Sequence, residues 1–104
     1  MPGRFAFWIA TSAPARARRF YAQVFGARLV RRGRRFFVQA AVRPAEVSAI
    51  RRVVVDDVDK YVAAVIAAGG CEVIAPMRVG PGFVAWCQDP DGNVLRLESH
   101  LPVH

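Results

Sequence analysis

The feature that most constrains this chain is a pattern carried twice. Gly26 and Gly70 each follow an amphipathic stretch, and they stand 44 positions apart. At that spacing Ile9 falls on Val53, Ser12 on Asp56, Leu29 on Val73 and Val30 on Ile74, with no gap. Strand-like residues meet strand-like residues, and cap meets cap. Each copy then reads as one supersecondary unit that must bury its apolar face against a neighbour.

The elements follow from local chemistry. Arg4 to Thr11 is rich in aromatic and apolar residues and reads as a strand. Ser12 is placed to cap a helix with Pro14 in its first turn. Ala17, Phe20, Tyr21 and Val24 recur at helical spacing, and Gly26 supplies the stop. Arg28–Arg32 and Arg35–Val42 read as a hairpin turning at Gly33. In the second copy Arg51–Val55 is a strand, and Asp56 or Asp57 caps a helix striped by Val58, Val62, Val65 and Ile66. Gly69-Gly70 ends that helix. Cys71–Ile74 is a short strand and residues 79–82 a loop. Residues 83–88 and 94–99 form a hairpin around Asp89-Pro90-Asp91-Gly92-Asn93, which is turn chemistry.

Composition bounds the function. A chain of 104 residues builds one small domain. No apolar run reaches the roughly 18 to 20 residues of a membrane span, and no secretion signal is evident, so a cytoplasmic protein is expected. Cys71 and Cys87 have no zinc spacing and are expected to be free thiols. The net charge of +7 comes almost wholly from arginine, with Lys60 the single lysine. Such charge attracts anions. No helix-turn-helix, RNP or zinc-finger pattern accompanies it, so it is read as compositional bias and nucleic acid is not an expected partner.

Three stretches, "ATSAPARARRFYAQVFG", "VVVDDVDKYVAAVIAAGG" and "DPDGNVLRLES", together resemble the vicinal oxygen chelate superfamily of glyoxalases, bleomycin-resistance proteins and extradiol dioxygenases. The resemblance spans nearly the whole chain. It implies an α+β fold of two βαβββ modules, the first abbreviated, in a single domain over 1–104. Module one covers about 1–48 and module two about 49–104. The strands curve into a cupped mixed sheet with helices outside, and many members are homodimers.

In metal-dependent members, a His on the first strand of each module and a Glu on the last strand hold a divalent ion. The ion chelates vicinal substrate oxygens as a Lewis acid. Carried across, those positions are Ala6, Ile50 and Arg96. Arginine cannot ligate a metal, and the other two have no donor atom. The remaining ligand would come late in module one, near Gln39 or Glu46. The expectation is therefore no catalytic residue, no metal and no cofactor.

Strand parity divides the remaining side chains. Phe5, Phe7, Ile9, Val53, Val55, Leu95 and Leu97 should face the helices. Ala6, Trp8, Ala10, Ile50, Arg52, Val54, Val94, Arg96 and Glu98 should face the cup. Trp8, Ile50, Arg52, Arg96 and Glu98 are the candidate ligand-binding residues: an aromatic face, an apolar wall, and guanidinium groups for a carboxylate or phosphate. Trp86 is expected in the core or at a subunit interface. Cys87 is reactive only if a cation lowers its pKa. His100 and His104 read as a solvent-exposed tail pair.

The leading expectation is a metal-free, homodimeric member binding a small aromatic or anionic molecule, with antibiotic sequestration one form of that. A basic cup would repel a cationic drug. The competing expectations are a divergent lyase, epimerase or dioxygenase with relocated ligands, and a dimeric interaction module with a filled cavity.

Overall fold

Alternating side chains over Ala6–Ile9 make the first strand, β1, of a computed structural model that describes residues 3–40 and 46–100. Helix α1 follows over Pro14–Phe25 and buries the stripe of Ala17, Phe20, Tyr21, Val24 and Phe25. Its N-cap is Ala13, with no side-chain cap bond, so Ser12 does not cap it. Thr11 Oγ1 instead accepts from the Ala13 amide at 3.0 Å, and Pro14 at the first position lacks the orphan donor that a cap would satisfy. Gly26 closes the helix at φ +63°, the left-handed conformation that glycine adopts without a Cβ clash. Strands β2 (Arg28–Arg32) and β3 (Arg35–Gln39) form the expected hairpin. The expected range of its second strand, Arg35–Val42, runs past the described stretch, which stops at Ala40.

The second copy runs β4 (Arg52–Val54), α2 (Val58–Ala67), β5 (Cys71–Val79), β6 (Gly82–Gln88) and β7 (Val94–Ser99). Asp57 is the cap of α2, its carboxylate accepting from the Lys60 amide at 3.1 Å. The buried stripe is Val58, Tyr61, Val62 and Val65, while Ile66 is half exposed. Two boundaries differ from the sequence reading. β5 extends to Val79, and the expected loop is a tight turn at Gly80-Pro81. Pro76 is tolerated inside β5 because β5 lies at the sheet edge and its register shifts there.

Two sheets result. One has the order β1-β3-β2, and the other β4-β7-β6-β5. In the second, β4 pairs β7 in parallel and the other neighbours are antiparallel. The first lacks a counterpart of β7 among the described residues, and β1 pairs directly with β3. Ser48 makes one parallel bridge to Phe7. The sheets are joined where the Gly3 amide donates to the Val54 carbonyl at 2.7 Å.

Both helices supply side chains to one shared core. Phe7, Val38, Val53, Val65, Leu95 and Leu97 are fully buried in it, and the Phe25 and Tyr61 rings stack at 5.8 Å to tie α1 to α2. Each such large apolar side chain contributes roughly 1.5–3 kcal/mol on burial. The opposite face of the strands is left open. Among the described residues no helix is long and apolar enough to cross a membrane.

Candidate functional site

The open face of the four-stranded sheet is built in rows. Register places Ile74, Trp86, Arg96 and Arg52 across the four strands in one row, and Met77, Val84, Glu98 and Val54 in the next. Alternation puts their neighbours Ala85, Cys87, Leu95, Leu97 and Val53 on the helix side, where all are buried. The strand parity expected from sequence thus holds in both sets.

Glu98 organises this face. Its side chain is 5% exposed and accepts three charge-assisted contacts. Arg52 Nε donates to Oε1 and Arg96 Nε donates to Oε2, the latter at 2.8 Å. His100 Nε2 lies 2.7 Å from Oε1, a geometry in which the ring nitrogen is the donor because an ionised carboxylate only accepts. Burial on its own would raise the Glu98 pKa. The bonds from Arg52, His100 and Arg96 outweigh it and hold the carboxyl below its ordinary value. The arginine side chains are half exposed, so each guanidinium is anchored at one edge and open to solvent at the other.

A cavity of about 580 Å³ opens over this cluster. Arg52, Arg96, Glu98 and His100 supply its polar groups, and Ile50, Val79 and Val84 its apolar wall. Gly82 forms part of the rim. A Cβ there would sit 1.7 Å from the Ser99 carbonyl oxygen, so only glycine lets β6 approach the end of β7. Four of the five candidate binding residues, Ile50, Arg52, Arg96 and Glu98, are therefore brought together. An adjoining cavity of about 380 Å³ shares Ile50 and Arg52 and adds Ala6, Glu46 and Val54.

Trp8 is elsewhere. It lies on the three-stranded sheet in a third cavity with Arg34, Arg35 and Arg51. The Arg35 guanidinium covers its ring at 3.8 Å, and Phe37 meets it edge-on at 5.6 Å. The aromatic partner of the Glu98 cluster is Trp86, whose ring stands 5.5 Å from the Arg96 guanidinium. Trp86 is half-buried on the open face, not in the core. The signal for it was the β6–β7 register: Trp86 stands opposite Arg96, each five positions from Asp91 at the centre of the turn, so both must share a face.

The donor set does not fit a divalent ion of the superfamily type. Ala6, Ile50 and Arg96 stand on the open side as expected, and none offers a ligand atom. Gln39 pairs opposite Ala6 on β3 and Glu46 lines the adjoining cavity, but Glu98 is committed to three cationic or N–H partners. Among the described residues no group of three or more His, Cys, Asp or Glu side chains is placed to hold a metal. Cys87 is fully buried, and burial, reinforced by Glu72 and Cys71, pushes its thiol up to about 11, which leaves it unreactive. His104 lies outside the described residues, and His100 belongs to the Glu98 cluster.

Comparison with known proteins agrees with this architecture. A family model described as a glyoxalase-like domain matches residues 6–98. A glyoxalase/bleomycin resistance protein/dioxygenase family enzyme from Burkholderia phytofirmans superposes with a TM-score of 0.67 at 24% identity, covering 89% of this chain and 94% of that one. A glyoxalase/bleomycin resistance protein from Albidiferax ferrireducens gives 0.62 at 19% identity, covering 90% and 95%. A glyoxalase-related enzyme from Fulvimarina pelagi gives 0.57 at 21% identity, covering 88% and 81%. No curated protein matches the sequence.

Proposed function

Because the chain belongs to the glyoxalase-like domain family of the vicinal oxygen chelate superfamily, we propose that it binds a small organic anion with an apolar body in the Arg52–Arg96 cavity, without a metal and without turning it over. The observation that carries this reading is the shared cavity. Two guanidinium groups, preset by Glu98, face an apolar wall in a space of about 580 Å³. Small-molecule sites combine these parts: apolar lining for affinity and a few fixed polar groups for orientation. The unused guanidinium edges can take a carboxylate or phosphate bidentately. The superfamily's metal supplies Lewis-acid polarisation of substrate oxygens, and the residues at its ligand positions here cannot hold it. Sequestration of an antibiotic is one use of such a site, restricted by its arginines to neutral or anionic compounds.

The same reading makes the protein a homodimer whose second copy closes the open face. Ile50, Val54, Ile74, Met77, Val79 and Val94 are all exposed on or beside it. An apolar patch of that extent is unusual on a protein that stays alone.

The test is a fluorescence titration of a Trp8→Phe variant, in which Trp86 alone reports. A panel of aromatic carboxylates and phosphate monoesters should include compounds that saturate the signal, with affinity unmoved by a strong chelator. Arg96→Ala should weaken binding about tenfold or more, the scale of one lost charge-assisted contact. Silence across the panel, or chelator-sensitive turnover of any member, would overturn the proposal.

A further inference from the structure

The charges of this chain are segregated to a degree that composition does not explain. Residues 1–45 contain ten arginines and no Asp or Glu, whereas residues 46–104 contain all eight carboxylates and the other five cations. A bias toward arginine codons acts on both halves alike and leaves the missing carboxylates unaccounted for. The structure gathers much of this charge on the β2–β3 hairpin. Arg28, Arg31, Arg32, Arg34 and Arg35 are all exposed there, and none of them pairs with a carboxylate among the described residues. Two are held in place by rings: Arg35 lies over Trp8 at 3.8 Å and Arg32 over Phe37 at 5.0 Å. Arg31 is fixed by its own Nε, which donates to the Gly33 carbonyl at 2.9 Å. At the hairpin's tip end Arg34 and Arg35 join Arg51 and Trp8 around a cavity of about 490 Å³ that contains no acidic side chain.

We infer that this hairpin is a nucleic-acid-binding surface that grips the phosphodiester backbone. Three features favour that polyanion. Arginine matches phosphate geometry with two parallel hydrogen bonds, and guanidinium planes stacked on rings lose less freedom on binding. β2 is the edge of its sheet, so Arg28 and Arg32 on one face and Arg31 on the other all line one exposed margin over five residues, roughly 15 Å at the ordinary rise, which is long enough to follow several phosphates. The tip, Arg32-Gly33-Arg34, has no apolar side chain to enter a lipid layer. The surface lies on the first sheet, away from the Arg52–Arg96 cavity, so it stands independently of the small-molecule reading.

Fluorescence anisotropy of the full chain with a labelled 20-nucleotide dT strand, a U strand and a 20-base-pair duplex tests this. At least one should bind at 50 mM salt. For a single strand contacting about four phosphates, affinity should fall about 50-fold by 200 mM. Arg31→Gln with Arg34→Gln, which touches neither ring stack, should weaken binding about tenfold and flatten the salt slope by about 1 to 2. Arg52→Gln with Arg96→Gln should leave it unchanged. The inference is overturned by absence of binding at 50 mM salt, by indifference to the Arg31/Arg34 pair, or by equal loss from the cavity pair. Salt-dependent self-association removed by Arg31/Arg34 substitution, with no oligonucleotide bound, would overturn it too and assign the face to a second copy.

Discussion

Tyr21 on α1 donates its phenolic O–H to Asp89 Oδ2 at 2.6 Å, joining the first helix to the last turn across 68 positions of sequence. Both groups are buried. Burial, then the nearby Asp89 charge, pushes the Tyr21 pKa far above its ordinary value, so the phenol stays a donor at every working pH. Asp89 also accepts from the Asp91 and Asn93 amides and from Asn93 Nδ2. The Asp-Pro-Asp-Gly-Asn segment is thus a buried polar network as well as a turn.

Tyr21→Phe should remove one bond and leave Asp89 Oδ2 with Asn93 alone. A loss of about 1–2 kcal/mol is expected, with the ring packing unchanged. For a domain of this size that lowers Tm by roughly 4–16 °C, which calorimetry would register. An unchanged Tm would mean the bond contributes no net stability.

Asn93 links the modules most directly. Its side-chain carbonyl accepts from the Ala10 amide at 2.9 Å, and its Nδ2 donates to the Ala10 carbonyl at 2.7 Å. Asn93→Ala should strip both partners from the end of β1. Hydrogen exchange should accelerate at Ala10 well before it does at Val38 or Leu97, and stability should drop by about 2–3 kcal/mol. Uniform acceleration would show that the modules unfold as one unit.

Glu98→Gln should separate stability from binding. The charge it removes anchors Arg52 and Arg96, so the variant should be about 1–2 kcal/mol less stable at neutral pH, a modest figure because both arginines reach solvent. The same change frees two cations, and affinity for an anionic ligand should rise about fivefold to tenfold. The acid dependence has a definite sign. The folded pKa of Glu98 lies below its unfolded value, so its contribution is complete above the unfolded value and fades as pH falls through the folded one. The Tm gap between native protein and variant should therefore be constant above about pH 5 and shrink in acid. A gap that widened in acid would contradict this assignment.

Met77 tests the dimer without touching the ligand cavity. It is half exposed on the open face, in the row of Glu98. Light scattering should find the native protein dimeric at micromolar concentration and Met77→Glu monomeric, with a monomer fold intact by circular dichroism. A native protein that is monomeric at those concentrations would remove the second copy from the proposal.

Much of this was legible because the signals were periodic or chemical. The helix stripes, the two-residue alternation around Leu95 and Leu97, and the turn residues at Gly33 and Asp89–Asn93 name their own environments. Ile50, Arg52, Arg96 and Glu98 could be grouped because a strand's parity decides its face. Trp8 stands apart from those four for a physical reason: parity gives the face but not the sheet, and β1 pairs with β3 rather than with β4 or β7. For Trp86 the sequence leaves core and subunit interface both open; alternation with buried Ala85 and Cys87 turns it outward and removes the core. The length of β5 was hidden by Pro76, which reads as a stop unless the strand is known to lie at an edge. Tyr21 and Asp89 were each placed correctly as stripe and turn, but nothing local announces a bond between residues so far apart.

β5 has a consequence for how copies of this chain can meet. It is a nine-residue strand at the sheet margin with Val73, Ile74, Met77 and Val79 exposed, which are the traits of a template for adding foreign strands. Two register shifts, at Glu72/Ile74 and Ile74/Met77, together with Pro76, break its row of backbone donors and acceptors into pieces too short to copy. Open-ended growth through the margin is thereby blocked while the apolar side chains stay available. For the proposed dimer this leaves the open face, and not the margin, as the place where a second copy docks, which gives a closed pair instead of a filament.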